Sequence, residues 1–229
     1  HLVDTYNAIL AAADGPTGST ANPLRATQSQ PLGVSGAGTS PNGLALLNSA
    51  VDVASQSQVD TVGELQSLTD AANGVIGAAS GGPAPTLAEL QTLGVAGVTS
   101  DNLAAIQQAI AATADDGSEV GDLNILQALV TSTAGAAAAA VTTISSAAQA
   151  DTASAGTPSA ADYAAAGITG VSAANLAAIN SVLDSTAIDS AAVDTSAEVQ
   201  HLVDTYNAIL AAADGPTGSP ASPLTAAQY

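Results

Sequence analysis

"HLVDTYNAILAAADGPTGS" occupies residues 1–19, and the same letters return at 201–219. Around the second copy, "EVQHLVDTYNAILAAADG" sets Val199, Leu202, Val203, Tyr206, Ile209, Leu210 and Ala213 on one face at a period of 3.6 residues. That spacing predicts an amphipathic helix closed by Gly15 in one copy and Gly215 in the other. A relative, "ELQSLTDAANGVIGAASG", starts at Glu64 and carries Leu65, Leu68, Val75 and Ile76 on the matching face. A third, "LQALVTSTAGAAAAAV" from Leu126, runs on through "TTISSAAQA" and should be about two turns longer.

Two further landmarks recur between these stretches. One is a Pro that opens a short helical pattern ending in Gly: "PLRATQSQPLGV" from Pro23, "PTLAELQTLGV" from Pro85 and "PSAADYAAAGI" from Pro158. "PLTAAQY" from Pro223 begins a fourth. The Pro-to-Pro spacings are 62, 73 and 65, which together make the 200 positions between the identical stretches. The other landmark is "NGLALLNSAVD", "DNLAAIQQAIA" and "ANLAAINSVLD". Its apolar residues at 44, 47, 51, at 103, 106, 110 and at 176, 179, 183 share a helix face.

Each period therefore reads as helix, helix, helix. The first helices are expected to start at Asn22, Thr157 or Ser222, each followed by Pro, and the Pro85 copy, with Ala84 there, should be the weakest start. They end at Gly33, Gly94 and Gly167. The third helices open on capping boxes, Thr61 with Glu64 and Thr195 with Glu198; the middle period offers only Asp122. Pro31 should shorten the first helix of its period.

The predicted fold is all-α: tandem up-down-up three-helix bundles set head to tail as an elongated rod. The expected divisions are 1–15 (last helix of a preceding repeat), 22–82, 84–150 and 157–215 (three-helix repeats), and 222–229 (start of a following repeat). A stretch that opens inside one helix and stops inside another is expected to come from a longer array. An odd number of helices leaves the chain's two ends at opposite poles, so successive bundles extend lengthwise. Helices of roughly 16 residues would be about 24 Å long, and three units would make a rod on the order of 70–100 Å.

Composition narrows the function. The chain has 229 residues with no Phe, Trp, Met or Cys and four Tyr, so its core must be thin and alanine-lined. Twenty acids face one base, Arg25, for a net charge of −19. Without a basic patch, binding to nucleic acid or an anionic membrane is excluded, and like charge opposes self-association, so a monomer is expected. The longest apolar run, "AGAAAAAV" at 134–141, is too short and weakly hydrophobic to predict membrane insertion.

No reaction is visible. His1 and His201 are the same repeat position, beside the apolar stripe, and the middle period has no His, so neither a triad nor a metal centre assembles. Most carboxylates fall at helix starts (Asp101, Asp122, Asp194, Glu198) or ends (Asp14, Asp214), where capping explains them. The acidic loop Asp115 to Glu119 lacks the alternating acids and distal Glu of a Ca²⁺ loop and reads as a solvated turn. Tyr6, Tyr206, Tyr163 and Tyr229 read as core anchors. Asp4 with Asn7, Asp70 with Asn73 and Asp204 with Asn207 repeat an i, i+3 pair expected to tie the third helix to a neighbouring loop. The expected catalytic, cofactor and metal residues are none.

The combined pattern "YAAAGITGVSAANLAAIN…VDTSAEVQHLVDTYNAILAAADG" resembles the α-helical tandem repeats of very large bacterial surface adhesins, the type I-secreted, biofilm-associated group that includes the RTX adhesins. The resemblance covers essentially the whole chain. It rests on the G-[IV]-x-G-V loop (Gly94 to Val98, Gly167 to Val171), the N-L-A-A-I helix and the acidic, Cys-free composition; the first period departs with "LGVSGAG". It implies a structural stalk on the bacterial cell surface, extracellular, that projects an adhesive tip and has neighbouring repeats as its partners. The alternative is a repeated ligand-binding module for glycan or ice. Thr residues without constant helical spacing and the scarcity of aromatics count against that alternative.

Overall fold

The computed structural model describes residues 2–13, 15, 25–148 and 157–213. Among them all regular structure is helical, with no strand. Helix α1 (Leu2–Ala12) comes first. Next are α2 (Ala26–Ser29), prolonged by a 3₁₀ turn at Gln30–Leu32, α3 (Pro41–Val53), a 3₁₀ turn at Gln56–Gln58, and α4 (Val62–Ala79). The same order returns as α5 (Leu87–Thr92), α6 (Ser100–Ala111), the turn Ser118–Val120 and α7 (Leu123–Ala148). It returns again as α8 (Ala160–Ala165), α9 (Leu176–Leu183), the turn Ser190–Ala192 and α10 (Ser196–Ala213).

Helix lengths depart from the roughly 16 residues expected. The first helix of each set has only four to six residues, while the third has 18 in α4 and α10 and 26 in α7. The excess of α7 over α4 matches the two extra turns read from its sequence. Pro31 has no amide to donate, and α2 accordingly gives way to a 3₁₀ turn at Gln30. The turns before α4, α7 and α10 are additional elements; they seat Val59, Val120 and Val193, each no more than 1% exposed.

Capping follows the sequence in part. Thr61 Oγ1 accepts from the Glu64 amide at 3.2 Å while the Glu64 carboxylate accepts from the Thr61 amide at 2.9 Å, and Thr195 with Glu198 does the same. Asp122 Oδ1 accepts from the Asn124 amide, as expected of the middle set. The first helices are a correction. Their caps are Thr86 and Ser159, after the proline, and not Ala84 and Thr157 before it. Glu89 and Asp162 complete reciprocal boxes with them. A hydroxyl and a carboxylate three residues apart satisfy two orphan amides, whereas Thr157 before its proline could satisfy one and Ala84 none. The start at Pro85 is therefore fully capped. The expected starts at Asn22 and Ser222, the closing Gly215, His1, Asp14, Asp214, Tyr229 and the segment 222–229 lie outside the described residues.

The chain divides into two compact units, His1–Ala134 and Gly135–Tyr229. The division falls within α7 and not at a Gly/Pro-rich connection. In the first unit α4 packs against α3, α5 and α6, and α1 against α3. Leu46, Val51, Val75, Leu90, Ile106, Ile110, Leu126 and Val130 form its dry centre, each at 0% exposure. Alanines 71, 72, 78 and 79 bring the α4 backbone close to its neighbours, and this is how an aromatic-poor chain closes a core. The second unit centres on Ile144, Tyr163, Ile179, Leu183, Val193, Val199 and Val203, all at most 1% exposed.

Among the described residues α7 is the one helix whose length and composition would suffice to cross a membrane. The run at 134–141 is thus part of a longer helix than its own length suggested. Leu126 and Val130 lie in one core, and Ala140, Ile144 and Ala148 in the other.

Candidate functional site

The features that recur through the fold are fasteners. A glutamine one turn into each long helix grips the backbone of the loop after the short helix. Gln66 donates to the Ser35 carbonyl (3.1 Å) and accepts from the Ser35 amide (2.8 Å). Gln127 holds Ala96 the same way (3.0 and 2.8 Å), and Gln200 holds Thr169 (3.2 and 2.8 Å). Each pair is 31 residues apart. The glutamine Nε2 also donates to the residue one turn on, Asp70, Thr131 or Asp204. These glutamines were not singled out from the sequence. Their signal is a constant place five residues after the cap, at the end of E-L-Q, I-L-Q and E-V-Q, visible once the periods are superimposed.

In two of the three Asp/Asn pairs the Asn makes the expected tie to a loop, while the Asp, Asp70 or Asp204, accepts from the glutamine of its own helix. Asn73 Nδ2 donates to the Gly36 carbonyl at 3.1 Å and Asn207 Nδ2 to the Gly170 carbonyl at 3.0 Å. The middle set has Ala134 at this place. There Asn102 holds the Gly97 carbonyl at 2.8 Å, as Asn175 holds that of Gly170 beside Asn207 in the third set.

Gly36, Gly97 and Gly170 all hold φ near +80°, which a side chain resists. A Cβ on Gly170 would also lie 3.0 Å from Asn207 Nδ2, whereas one on Gly97 meets nothing within 4 Å. Gly97→Ala should therefore cost about 1 kcal/mol of backbone strain. Gly170→Ala should cost roughly twice that, because Asn207 must also release its loop carbonyl. Urea melts of the two variants check the order.

A buried polar pair holds α8 against α9. Tyr163, 1% exposed, donates its hydroxyl to Asn180 Oδ1 at 2.8 Å, and Asn180 Nδ2 donates to the Pro158 carbonyl at 2.8 Å. The first unit repeats half of this: Gln107 Nε2 donates to the Pro85 carbonyl at 2.8 Å. All buried side-chain nitrogens and oxygens among the described residues have partners. Tyr6 is half-buried and stands outside the core cluster, a departure from the expected core anchor, its hydroxyl donating to the Asp60 carbonyl. Tyr206 is half-buried and walls an open groove with Val182, Ile188, Ala192, Leu202 and Ile209, about 610 Å³ in volume. His201 is exposed at its rim.

Among the described residues no three His, Asp or Glu come together as a metal-binding group. In the acidic loop, Asp116 accepts from the Ser118 amide (2.9 Å) and Glu119 from the Ala114 amide (2.7 Å). The loop is pinned by Ser80 and Asn42, which donate to the Asp115 and Asp116 carbonyls.

Ionisation follows these bonds. The Thr61, Ser159 and Thr195 hydroxyls hold the Glu64, Asp162 and Glu198 carboxyls below their ordinary values, and the Ser118 amide does so for Asp116. Carboxyls depressed in the folded state contribute stability above the ordinary carboxylate range, and that contribution is lost as pH falls through their folded values. At the other extreme, burial, with the Asp162 charge second, pushes Tyr163 up from 10.0 to about 12. Between those values the unfolded chain has released a proton that the folded chain retains, so stability falls as pH rises. The expected loss is on the order of 2 kcal/mol across that window. Alkaline melts checked against Tyr163→Phe, which removes the titrating group, measure it.

Comparison with protein-family models, with curated proteins and with solved structures finds no match.

Proposed function

We propose that this chain is a structural extender: three-helix repeats in tandem, 22–82, 84–150 and 157–215, forming part of a stalk that projects an adhesive tip from a bacterial cell surface. The observation that carries the reading is the glutamine fastener, which recurs at Gln66, Gln127 and Gln200 with the same 31-residue reach. Three copies of one fastener joining a long helix to a loop are what a repeated mechanical unit requires. A reaction centre requires different groups converging at one place. The net charge of −19 suits such a role by keeping neighbouring stalks apart and hydrated. Neighbouring repeats are the partners in this reading, and the chain is a monomer and not an enzyme.

Small-angle scattering on the purified chain tests the shape, with an elongated particle of roughly 70–100 Å expected. A compact sphere or a fully flexible coil would reject the stalk. Glycan arrays and ice-recrystallisation assays test the role; specific binding in either would replace the extender with a ligand-binding module.

A further inference from the structure

The chain carries its own control experiment. Residues 2–13 and 202–213 are identical in sequence but occupy different surroundings. In α10 the first half of the stripe is buried, with Val203 at 0% exposure in the core of its unit. In α1 the equivalent Val3 is 70% exposed and Leu2 55%. The second half is reversed. Ile9 is 1% exposed and Ala12 5%, because α1 lies against α3 and the turn at Gln30–Leu32. Tyr6 and Gln56 fasten that contact, Gln56 donating to the Leu10 carbonyl at 3.1 Å. In α10, Ile209 and Ala212 are only half-buried, and Ile209 lines the open groove.

The long helix therefore serves two masters. Its first half completes the core of its own set, and its second half seats the first two helices of the set that follows. In α4, which has such a set after it, the places of Tyr206 and Ile209 are taken by Ala72 and Val75, at most 1% exposed, and the depression that remains is confined to the start of the helix, where Gly63, Glu64, Ser67 and Leu68 correspond to Ala197, Glu198, His201 and Leu202. There the end of α5 forms one side, with Leu93 1% exposed.

We infer that the groove of Val182, Ile188, Ala192, Leu202, Tyr206 and Ile209 is a docking face for one occupant, the leading helix pair of a further repeat of this class. It would be closed as α1 is closed by 26–53. The inference rests on the tandem-repeat reading and adds to it the surface through which one repeat joins the next.

Residues 201–229 run parallel to 1–29, so extending the full chain after Tyr229 with its own residues 30–82 rebuilds the covered junction at its other end. Hydrogen exchange is followed at 206–212 in both chains, with 6–12 as the internal standard. In the 229-residue chain, 206–212 should exchange at least about tenfold faster than 6–12, and the extension should remove that difference. Ile209→Asp in the extended chain should restore fast exchange at 206–212 while Val199 and Val203 stay protected. If the appended segment gains helix and 206–212 stay fast, the inference is overturned. If instead the 229-residue chain dimerises in sedimentation and Ile209→Asp abolishes the dimer, the occupant is a second molecule and the inference is again wrong. Compact scattering or glycan binding, with the groove nonetheless closed by the extension, would overturn the stalk alone.

Discussion

Asn180→Leu should destabilise the second unit by about 3 kcal/mol, since it leaves two buried polar groups without partners. The Tyr163 hydroxyl loses its acceptor and the Pro158 carbonyl its donor, both in buried positions. Leucine matches asparagine in branching but offers neither group. Tyr163→Phe alone should cost less, about 1–2 kcal/mol, because Asn180 keeps its bond to Pro158. The double variant should fall short of the sum of the two, since the pair shares one hydrogen bond. Chemical denaturation of all four chains gives the cycle; additive losses would mean that the hydroxyl and the amide do not cooperate.

Ile144→Ala is the second large effect, with an expected cost of 2–5 kcal/mol. Ile144 is 0% exposed and stands among Tyr163, Ile168 and Ile179 in a core with few large side chains. Neighbouring alanines cannot swing in to fill the hole, so the cavity should persist. Ile125→Ala on the same helix is the comparison. At 51% exposure it should change stability by no more than about 0.5 kcal/mol. A comparable loss at both sites would mean that helix propensity along α7, and not packing, holds the unit together.

How much of this could be read from letters depended on range. The long helices were legible because Val199, Val203 and Tyr206 keep a 3.6-residue period, and the boxes at Thr61 and Thr195 because hydroxyl and carboxylate lie three apart. The caps at Thr86 and Ser159 were equally local. They were obscured by the preceding prolines, which suit the first helical position but here stand outside it. The 3₁₀ turns at Gln56, Ser118 and Ser190 have too few residues to show a period. The Tyr163–Asn180 bond and the glutamine grips span 17 and 31 residues, beyond any local rule. The Asn73 and Asn207 ties were reachable because the same pair of letters recurred at the same spacing. Burial differences between the two identical helices were invisible, since one string of residues cannot announce two environments.

The glutamine grip needs only main-chain atoms: the gripped residue is Ser at 35, Ala at 96 and Thr at 169, and the main-chain bond lengths hardly change although the Ser35 and Thr169 hydroxyls add contacts to the glutamine oxygen at 3.3 and 3.4 Å that Ala96 lacks. Mutational drift at that position therefore leaves the joint intact. The three copies within this one chain already present an alcohol, a methyl and a branched alcohol to solvent there, over an unchanged architecture beneath.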